Sequence, residues 1–553
     1  MFETSTLIYM GHFMSSWGDR MWYFAIPLFL TDLDPKSLFL TAAYGLTLSA
    51  SVLLFAPLVG DWIDRTGRLT AVKVTLVIQN MSVIISALIL LLNREFGDIN
   101  SSYLIVVQIA AVILGAIGTL ASTATQIILQ KDWIVVIAAK KTDFLTNLNA
   151  TMRRIDLFTK ILSPIACGQI MALATLTGGA VFILCWNTAS MFGEYILLRM
   201  VYKRTPDLAI KRREEEDEIE MEELGGGVEE EEQDEINENE KKMEKKQKKK
   251  KKSVFQKVFG FILVIKDGWK LYTDQVIALA GLGFSFLYLT VLGFGYVTTS
   301  YAYNQCFSEL LVGIVLGAAG FTGILGTFVF PLLSARFGLV KSGLFSGIFQ
   351  VLTLIPCVAS VFVAGSPFFL LPVNSVNQNL TVEPTLSSLV TQNMSSYTTL
   401  QPASNFSETT LLSAVDGAVV LEPEVLFRCL KGVKPPVSFL SMWLLTAGLV
   451  AARAGLWSFD LAMTQLIQEN VIESERGIVN GVQTSLNMLM DLLMYVAVLI
   501  LPDPDQFGIL IILSAVAVTT AYVLYAIFAI KSGKRFDQPK HTKVKQTDNA
   551  IET

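Results

Sequence analysis

Four side chains with oxygen ligands lie within apolar stretches of the N-terminal part of the chain. Asp19, Gln79, Asn187 and Glu194 contribute carboxylate and amide groups only. Asn187 and Glu194 are seven residues apart, so a helix places them on one face, two turns from each other. An all-oxygen set suits a hard cation such as Ca²⁺. The alternative is that Asp19 pairs with Arg20 or another arginine, and that the amides join neighbouring helices.

A second group of charges follows in a short loop. It reads Gly60-Asp-Trp-Ile-Asp64-Arg65-Thr-Gly67-Arg68. This is similar to the G-x-x-x-D-R-x-G-R loop of major facilitator transporters. The two glycines predict a tight turn and a close helix approach, and the three numbered charges predict a cluster that holds the cytoplasmic side closed in one state.

A degenerate copy of that loop, Ser-Ala-Arg-Phe-Gly-Leu-Val-Lys, occupies residues 334–341. Two halves with related loops imply a transporter whose halves rock about a site near the membrane midplane. We assign four further charged residues to gating: Asp156, Arg453, Asp460 and Arg476. The alternative for these charges is that they only fix helix contacts.

Composition places the chain in a membrane. Hydrophobic residues make up 52% and charged residues 16%, and the mean hydropathy is +0.52. These values exclude a water-facing soluble protein. Two histidines and five cysteines show no zinc-ligand spacing. The basic residues form no stripe for nucleic acid, and no nucleophile, base and oxyanion arrangement indicates an enzyme.

Twelve apolar runs are long enough to cross a bilayer, which takes about 20 residues. They span residues 7–31, 38–60, 70–93, 103–129, 147–174, 178–202, 275–302, 309–333, 341–364, 437–465, 477–501 and 506–530. In the seventh run, Gly293 and Gly295 weaken the helix and predict an unwound segment. We therefore predict an all-α membrane protein with a major facilitator-type fold, in which twelve transmembrane helices form two six-helix halves.

Charge asymmetry orients these runs. With the N-terminus in the cytoplasm, 36 of the 43 Lys and Arg residues lie on or near the cytoplasmic side. The same orientation places four glycosylation acceptors outside: Asn100, Asn379, Asn393 and Asn405. We predict a multi-pass glycoprotein of the plasma membrane with both termini in the cytoplasm.

The predicted domains are the N-terminal half at 1–202, a cytoplasmic linker and interfacial segment at 203–274, the C-terminal half at 275–530 and a cytoplasmic tail at 531–553. Within the linker, residues 211–252 hold 17 of the 48 acidic and 12 of the 43 basic side chains. Segregated charge of this kind predicts a disordered segment. Its Lys-rich end is either simply solvated or lies on anionic lipid.

Residues 366–436 of the C-terminal half form a Ser-, Thr- and Asn-rich outer loop that we expect to be glycosylated and poorly ordered. Cys306 lies just outside the seventh apolar run and Cys429 lies in the loop. They are the one pair of cysteines placed for an extracellular disulfide. Two free thiols are an equally acceptable alternative.

Several segments together resemble the ferroportin family of cellular iron exporters. They read Ser16-Trp-Gly-Asp19-Arg-Met-Trp22, Gln130-Lys-Asp-Trp-Ile-Val135, Asn149-Ala-Thr-Met-Arg-Arg-Ile-Asp156, Gly455-Leu-Trp-Ser-Phe-Asp460 and Gln468-Glu-Asn-Val-Ile-Glu-Ser-Glu-Arg-Gly477. The resemblance covers essentially all twelve runs but not the charged linker or the outer loop.

The resemblance implies Fe²⁺ export by alternating access, with a metal site in each half. The family's N-terminal site matches Asp19 and a His four residues on, where this chain has Tyr23. Its C-terminal site uses an Asp-Cys pair and a His, and here those positions hold Gly295, Tyr296 and Met494. Both imidazoles and the thiol that favour Fe²⁺ are therefore replaced.

Other family properties transfer unequally. The family's Ca²⁺ ligands match Asp19, Gln79 and the Asn187–Glu194 pair, so the resemblance implies that Ca²⁺ binds here, and we expect no other cofactor. The hormone hepcidin docks near the family's seventh-helix Cys and eleventh-helix His. Because Tyr296 and Met494 stand there, we expect hepcidin binding to be weak or absent.

Three functions follow from these observations. The first is a ferroportin-like transporter that exports Fe²⁺ or a related divalent metal. The second is a family-derived transporter with a changed substrate, such as a harder cation or an organic solute. The third is a non-transporting membrane regulator, against which the retained gating loop argues.

Overall fold

The structure is a computed structural model that describes residues 3–96, 101–138, 142–209, 268–368, 413–415, 418–420, 426–430 and 433–536. The predicted linker at 211–252 and most of the outer loop lie outside the described residues. So do the four predicted glycosylation sites, Asn100, Asn379, Asn393 and Asn405, and the side chains of Asp64 and Arg476.

Helices make up almost all of the described chain. They are α1 (Thr4–Leu33), α2 (Phe39–Arg65), α3 (Arg68–Phe96), α4 (Ser101–Gln126), α5 (Ile134–Ile137), α6 (Thr142–Arg204), α7 (Ala278–Phe286), α8 (Tyr296–Asn304), α9 (Glu309–Phe337), α10 (Leu339–Ala359), α11 (Leu440–Asn470), α12 (Glu473–Ile500) and α13 (Phe507–Phe536). A π-helical turn, Ile127–Trp133, joins α4 to α5. Strands β1 (Ser413–Val415) and β2 (Ala418–Val420) pair antiparallel.

Two interruptions divide helices where the sequence predicts a change. Helix α6 covers both the fifth and the sixth apolar run, and its axis is kinked at Ala174 and Thr175, where Thr175 has a positive φ of 62°. The seventh run forms two pieces, α7 and α8, separated by the non-helical residues 287–295. The predicted unwinding in the seventh run is therefore confirmed.

Nine helices in the described part of the chain are long and apolar enough to cross a membrane. One of these segments, Thr151–Arg204, is 54 residues long and contains the kink. The surface is also apolar: Leu332 is 72% exposed and Phe328 is 69% exposed. Large exposed apolar side chains on such helices fit a lipid environment. Length and hydropathy alone do not confirm the count of twelve, which stays a prediction.

Hydrogen bonds join the two halves at one end of the bundle. We name the end where α1 begins and α13 ends the terminal end, and the opposite end the distal end. At the distal end, the Leu38 amide donates to the Pro502 carbonyl at 2.7 Å. The hydroxyls of Thr41 and Ser300 lie 3.1 Å apart, and the Asn304 amide donates to the Pro35 carbonyl. These bonds join α1 and α2 to α8 and α12.

A disulfide fixes part of the outer loop to the distal end. Cys306 and Cys429 are bonded, so the structure favours the disulfide over two free thiols. The Arg428 amide also donates to the Cys306 carbonyl at 3.0 Å. Phe307 and Phe427 pack beside this bond with ring centroids 5.9 Å apart. The end of the loop is therefore held against the helix that follows the unwound segment.

Close packing between helices depends on small residues. A Cβ at Gly326 of α9 would lie 2.2 Å from the Ala454 carbonyl oxygen of α11. A Cβ at Gly313, also on α9, would lie 2.5 Å from the Pro164 carbonyl oxygen of α6. Backbone atoms cannot rotate away as a side chain can, so these positions accept no larger residue. Such contacts are typical of helices that associate within a membrane.

We expect Gly326→Ala to lower stability by about 1–3 kcal/mol, because the added methyl overlaps backbone that must move. The control is Gly481→Ala on α12, where an added Cβ meets no described atom within 4 Å. Thermal unfolding in detergent, followed by fluorescence, measures both. A melting temperature that falls equally in the two variants would contradict the packing argument.

Candidate functional site

Asp19 lies at the centre of the N-terminal half. One oxygen of its carboxylate accepts a hydrogen bond from Gln79 Nε2 of α3 at 2.7 Å. The other accepts one from Ser122 Oγ of α4 at 2.8 Å. Three helices therefore converge on this carboxylate. The alternative in which Asp19 pairs with Arg20 is not what the structure shows, because no ion pair joins these two side chains within 4.0 Å.

The other two predicted oxygen ligands lie on α6, beside α1. Asn187 and Glu194 are both buried. The Asn187 side-chain oxygen would be 3.3 Å from a Cβ at Gly18, the neighbour of Asp19, so the glycine lets α6 approach. Glu194 accepts a hydrogen bond from Ser190, one turn before it. The structure thus brings Asp19 and Gln79 into direct contact and places Asn187 and Glu194 along the adjoining helix face.

The polar atoms around Asp19 fit a hard cation. Gln79 Oε1 is buried and has no hydrogen-bond partner. A buried carbonyl oxygen without a partner is costly, and a cation would satisfy it. A cavity of about 20 Å³ borders Asp19, Gln79 and Ser122, and this is room for a single ion or water. Among the described residues, no three His, Cys, Asp or Glu side chains cluster as a transition-metal site would.

His12 lies beside the small cavity at Asp19, and it was not singled out from the sequence. Its Nε2 atom lies 2.9 Å from Asp156 Oδ1, and Ser16 Oγ donates to the same oxygen at 3.2 Å. His12, Ser16 and Asp19 share one face of α1, and His12 borders the same small cavity. These residues are four and then three positions apart, and this spacing in the sequence indicates a shared helix face. Asp156, predicted to act in gating, therefore binds α1 next to the cation pocket.

Two positions at which the sequence resemblance predicts iron ligands, Tyr23 and Tyr296, form an aromatic contact. Tyr23 and Tyr296 have ring centroids 4.7 Å apart, and Tyr44 meets Tyr296 edge-on at 5.3 Å. Tyr23 Oη donates to the Phe294 carbonyl in the unwound segment at 3.3 Å. Met494 of α12 borders the cavity on the C-terminal side of this contact. The replaced ligands thus stand between the two halves.

Tyr44 and Tyr495 complete the aromatic cluster, and neither was singled out from the sequence. A Cβ at Gly115 would lie 2.4 Å from the Tyr44 ring, and one at Gly45 would lie 2.2 Å from the Tyr495 ring. Both glycines are in helix interiors, where glycine is unfavourable unless a neighbour needs the space. The sequence carries one hint of this packing. Glycines without an evident role lie in apolar runs that also contain tyrosine.

The predicted gating loop lies between α2 and α3. A Cβ at Gly60 or Gly67 would meet no described atom within 4 Å, so the predicted close helix approach at these glycines stays a prediction. In the degenerate copy of this loop, between α9 and α10, Gly338 has a positive φ of 86°, which is a conformation that favours glycine. Arg68 binds Asp132 through two hydrogen bonds of 2.8 and 2.9 Å. This pair fastens the start of α3 to the π-helical turn after α4.

Two of the predicted gating charges of the C-terminal half line a second cavity of about 550 Å³. Arg453 and Asp460 of α11 border it, as does Asp491 of α12. Asp491 accepts a hydrogen bond from Ser49 of α2 at 2.7 Å, which links the halves. Arg20, Tyr23 and Tyr296 border both this cavity and one of about 270 Å³ on the Asp19 side.

Comparison with known proteins identifies the family. Residues 3–518 match the family model described as Ferroportin1 (FPN1). The chain belongs to the ferroportin family. It is 41% identical to the ferroportin of Homo sapiens over 540 residues, which cover 95% of this chain and 90% of that protein. It is 41% identical to solute carrier family 40 member 1 of Danio rerio over 535 residues, covering 95% of this chain and 91% of that one.

Solved structures support the fold. A bacterial homologue of the iron transporter ferroportin, described as inward-facing, superposes with a TM-score of 0.65 at 21% identity and covers 95% of this chain and 98% of its own. The nucleoside transporter NupG superposes with a TM-score of 0.56 at 10% identity, covering 95% and 99%. The predicted major facilitator-type fold is therefore confirmed. Members of this ferroportin family are membrane transporters and not enzymes.

We expect Asp132→Asn to change the rate of transport in this ferroportin family member without changing cation affinity. The variant removes the carboxylate charge that holds Arg68 at the start of α3, and neither Arg68 nor Asp132 borders the small cavity at Asp19. A partly exposed pair of this kind contributes up to about 1 kcal/mol, so the ratio of conformational states should shift by up to about fivefold.

The measurement combines calorimetric Ca²⁺ binding with the accessibility of a cysteine introduced at the terminal end. The control is Arg94→Gln, which breaks the 2.5 Å pair with Asp32 on the surface of the N-terminal half. A loss of Ca²⁺ affinity in Asp132→Asn, with no change in accessibility, would show that the pair supports the pocket and does not gate.

Proposed function

We propose that this protein exports Fe²⁺ or a related divalent metal from the cell by alternating access. The observation that carries the proposal is the half-buried carboxylate of Asp19, which borders a one-ion cavity beside the unpartnered oxygen of Gln79. Ionisable groups inside a membrane protein are costly, and they are kept where they bind or conduct an ion. Membership in the ferroportin family supports a metal as that ion.

Each residue of the pocket has a definite task in the proposal. Asp19 supplies the negative charge, and its two present donors, Gln79 and Ser122, are neutral groups that can be displaced. Rotation of the Gln79 amide would turn its oxygen towards a cation without moving the helix, since the two ends of an amide have the same shape. Ser122 would then present its hydroxyl oxygen.

Ca²⁺ is the proposed resident cation of the same half. Its ligands would be Asp19, Gln79, Asn187 and Glu194. It would supply positive charge that neutralises the two carboxylates of this set. Carboxylate and amide oxygens are its preferred ligands. Glu194 now accepts a hydrogen bond from Ser190 on its own helix. A rotation of that side chain would be needed for all four residues to share one ion.

A changed substrate is the second candidate, and a specific observation favours it. The imidazole and thiol positions of the family hold Tyr23, Tyr296 and Met494, and the two tyrosine rings pack on each other. A neutral phenol is a poorer ligand for Fe²⁺ than an imidazole or a thiolate, so a harder divalent ion loses less by the exchange. A non-transporting regulator would not need a polar contact between mobile halves such as the hydrogen bond of Ser49 with Asp491.

The proposed cycle follows from where the halves meet. Hydrogen bonds join them at the distal end, through Leu38 with Pro502 and Thr41 with Ser300. We propose that the distal end faces outward and that the terminal end, with both chain termini, faces the cytoplasm. The protein would then lie in the plasma membrane with its outer loop glycosylated, and its partners would be the metal and lipid, without nucleic acid.

We expect Asp19→Ala to lower Ca²⁺ affinity more than about tenfold and to abolish metal efflux, because it removes the charge shared by both proposed cations. Asp503→Ala at the distal end, which removes an exposed carboxylate, is the control. Calorimetry on purified protein and efflux of radioactive iron from loaded cells are the two measurements. Unchanged efflux in Asp19→Ala, with normal surface expression, would refute the site.

Hepcidin should neither bind this protein tightly nor cause its removal from the cell surface. The thiol and imidazole positions hold Tyr296 and Met494, and the Tyr296 ring is packed between Tyr23 and Tyr44. Labelled hepcidin on expressing cells measures binding, and the double variant Tyr296→Cys, Met494→His is the comparison. Saturable high-affinity binding to the unmodified chain would contradict this expectation, whereas binding gained only in the double variant agrees with it.

A further inference from the structure

The 550 Å³ cavity on the C-terminal side carries an excess of positive charge. Four cationic side chains border it, namely Arg20 of α1, Arg153 and Lys160 of α6, and Arg453 of α11. The carboxylates that border it are those of Asp460 and Asp491. The formal charge of its lining is therefore positive, in contrast to the Asp19 side, where carboxylates predominate.

Ion pairs do not neutralise these cations among the described residues. In the part of the chain that the structure describes, none of the four has a carboxylate oxygen within 4.0 Å. Asp491 is already engaged with Ser49 of the other half. Positive groups that share a cavity repel one another, and a bound anion would relieve this repulsion.

Aromatic rings hold two of the cations in a fixed arrangement. Lys160 Nζ lies 4.4 Å from the centroid of the Trp457 ring, and Arg153 Cζ lies 5.5 Å from the same ring. Cation–π contacts orient a charged group and leave its hydrogen-bond donors free. One indole therefore presents an ammonium and a guanidinium to the cavity together.

The unwound segment positions the third cation. Arg453 Cζ lies 5.9 Å from the Phe294 ring centroid. Its Nη2 atom is so close to Gly293 that a Cβ there would be at 3.0 Å. The guanidinium therefore rests on the backbone between α7 and α8. Guanidinium groups bind carboxylates through two parallel hydrogen bonds, and an ammonium adds a point charge.

We propose that this cavity binds a small organic anion with two or three carboxylates, at a site distinct from the cation pocket. The cavity volume lies in the range of small-molecule sites and is many times that of one bare ion. The rings of Tyr23 and Tyr296, which pack at a tilt, border both this cavity and the one on the Asp19 side. The anion site goes beyond metal export, because it does not use Asp19, Gln79 or any metal.

The test is calorimetric binding of tricarballylate, a tricarboxylate, to the full-length protein in lipid nanodiscs and metal-free buffer. Lys160→Gln and Arg453→Gln should each weaken binding about 10-fold or more, since hydrogen bonds to charged groups are the strong ones. Arg453→Lys should retain part of the affinity. The matched control is Arg199→Gln, an exposed arginine of the same helix as Lys160.

Two further arms separate the explanations. Asp19→Ala should leave tricarballylate binding unchanged, so a failure of the metal-export proposal and a failure of the anion site give different results. Inorganic phosphate should bind at least about 10-fold more weakly, because it is too small to reach three separated cations. The proposal is overturned if tricarballylate shows no saturable binding, if Lys160→Gln binds it as the Arg199→Gln control does, or if phosphate binds as tightly.

Discussion

A single carboxylate inside the bundle organises the N-terminal half. Asp19 accepts hydrogen bonds from Gln79 of α3 and Ser122 of α4, so three helices are fixed relative to one another by one negative group. A charge away from bulk water is tolerated only when it is paired or binds an ion. Gln79 keeps one oxygen without a partner, so the hydrogen bonds alone leave the site incomplete. A small cavity borders Asp19 and Gln79. Gly18, the neighbour of Asp19, allows α6 to approach α1 at this point.

The boundary between the halves is built around tyrosine. Tyr23 and Tyr296 pack on each other, and Tyr44 and Tyr495 fill spaces that Gly115 and Gly45 leave open. Each tyrosine ring requires its glycine, since a methyl group at Gly115 would overlap the Tyr44 ring and one at Gly45 would overlap the Tyr495 ring. Tyr23 and Tyr296 border both the cavity on the Asp19 side and the more basic cavity on the C-terminal side. These two rings stand at positions where the sequence resemblance predicts nitrogen and sulfur ligands.

The fold was largely predictable because membrane helices are long and apolar, and their lengths are set by the bilayer. The break in the seventh run was also predictable from local sequence, because Gly293 and Gly295 weaken the helix. Contacts between distant parts of the chain were not. Nothing in the sequence near Arg68 indicates Asp132 as its partner, and the pairing of His12 with Asp156 depends on how α1 meets α6. Gly60 and Gly67 match a loop pattern, yet an added Cβ at either glycine would meet no described atom within 4 Å.

Transport by purified protein tests the central claim most directly. The protein would be reconstituted into liposomes that contain a metal-sensitive fluorophore, and the initial rates for Fe²⁺, Co²⁺, Mn²⁺ and Ca²⁺ would be compared with those of empty liposomes. The account predicts saturable uptake of Fe²⁺ or another divalent transition metal. It also predicts that excess Ca²⁺ alters this uptake through the Asp19 half. Uptake of no divalent metal above the rate of empty liposomes, from protein shown to be folded, would contradict it.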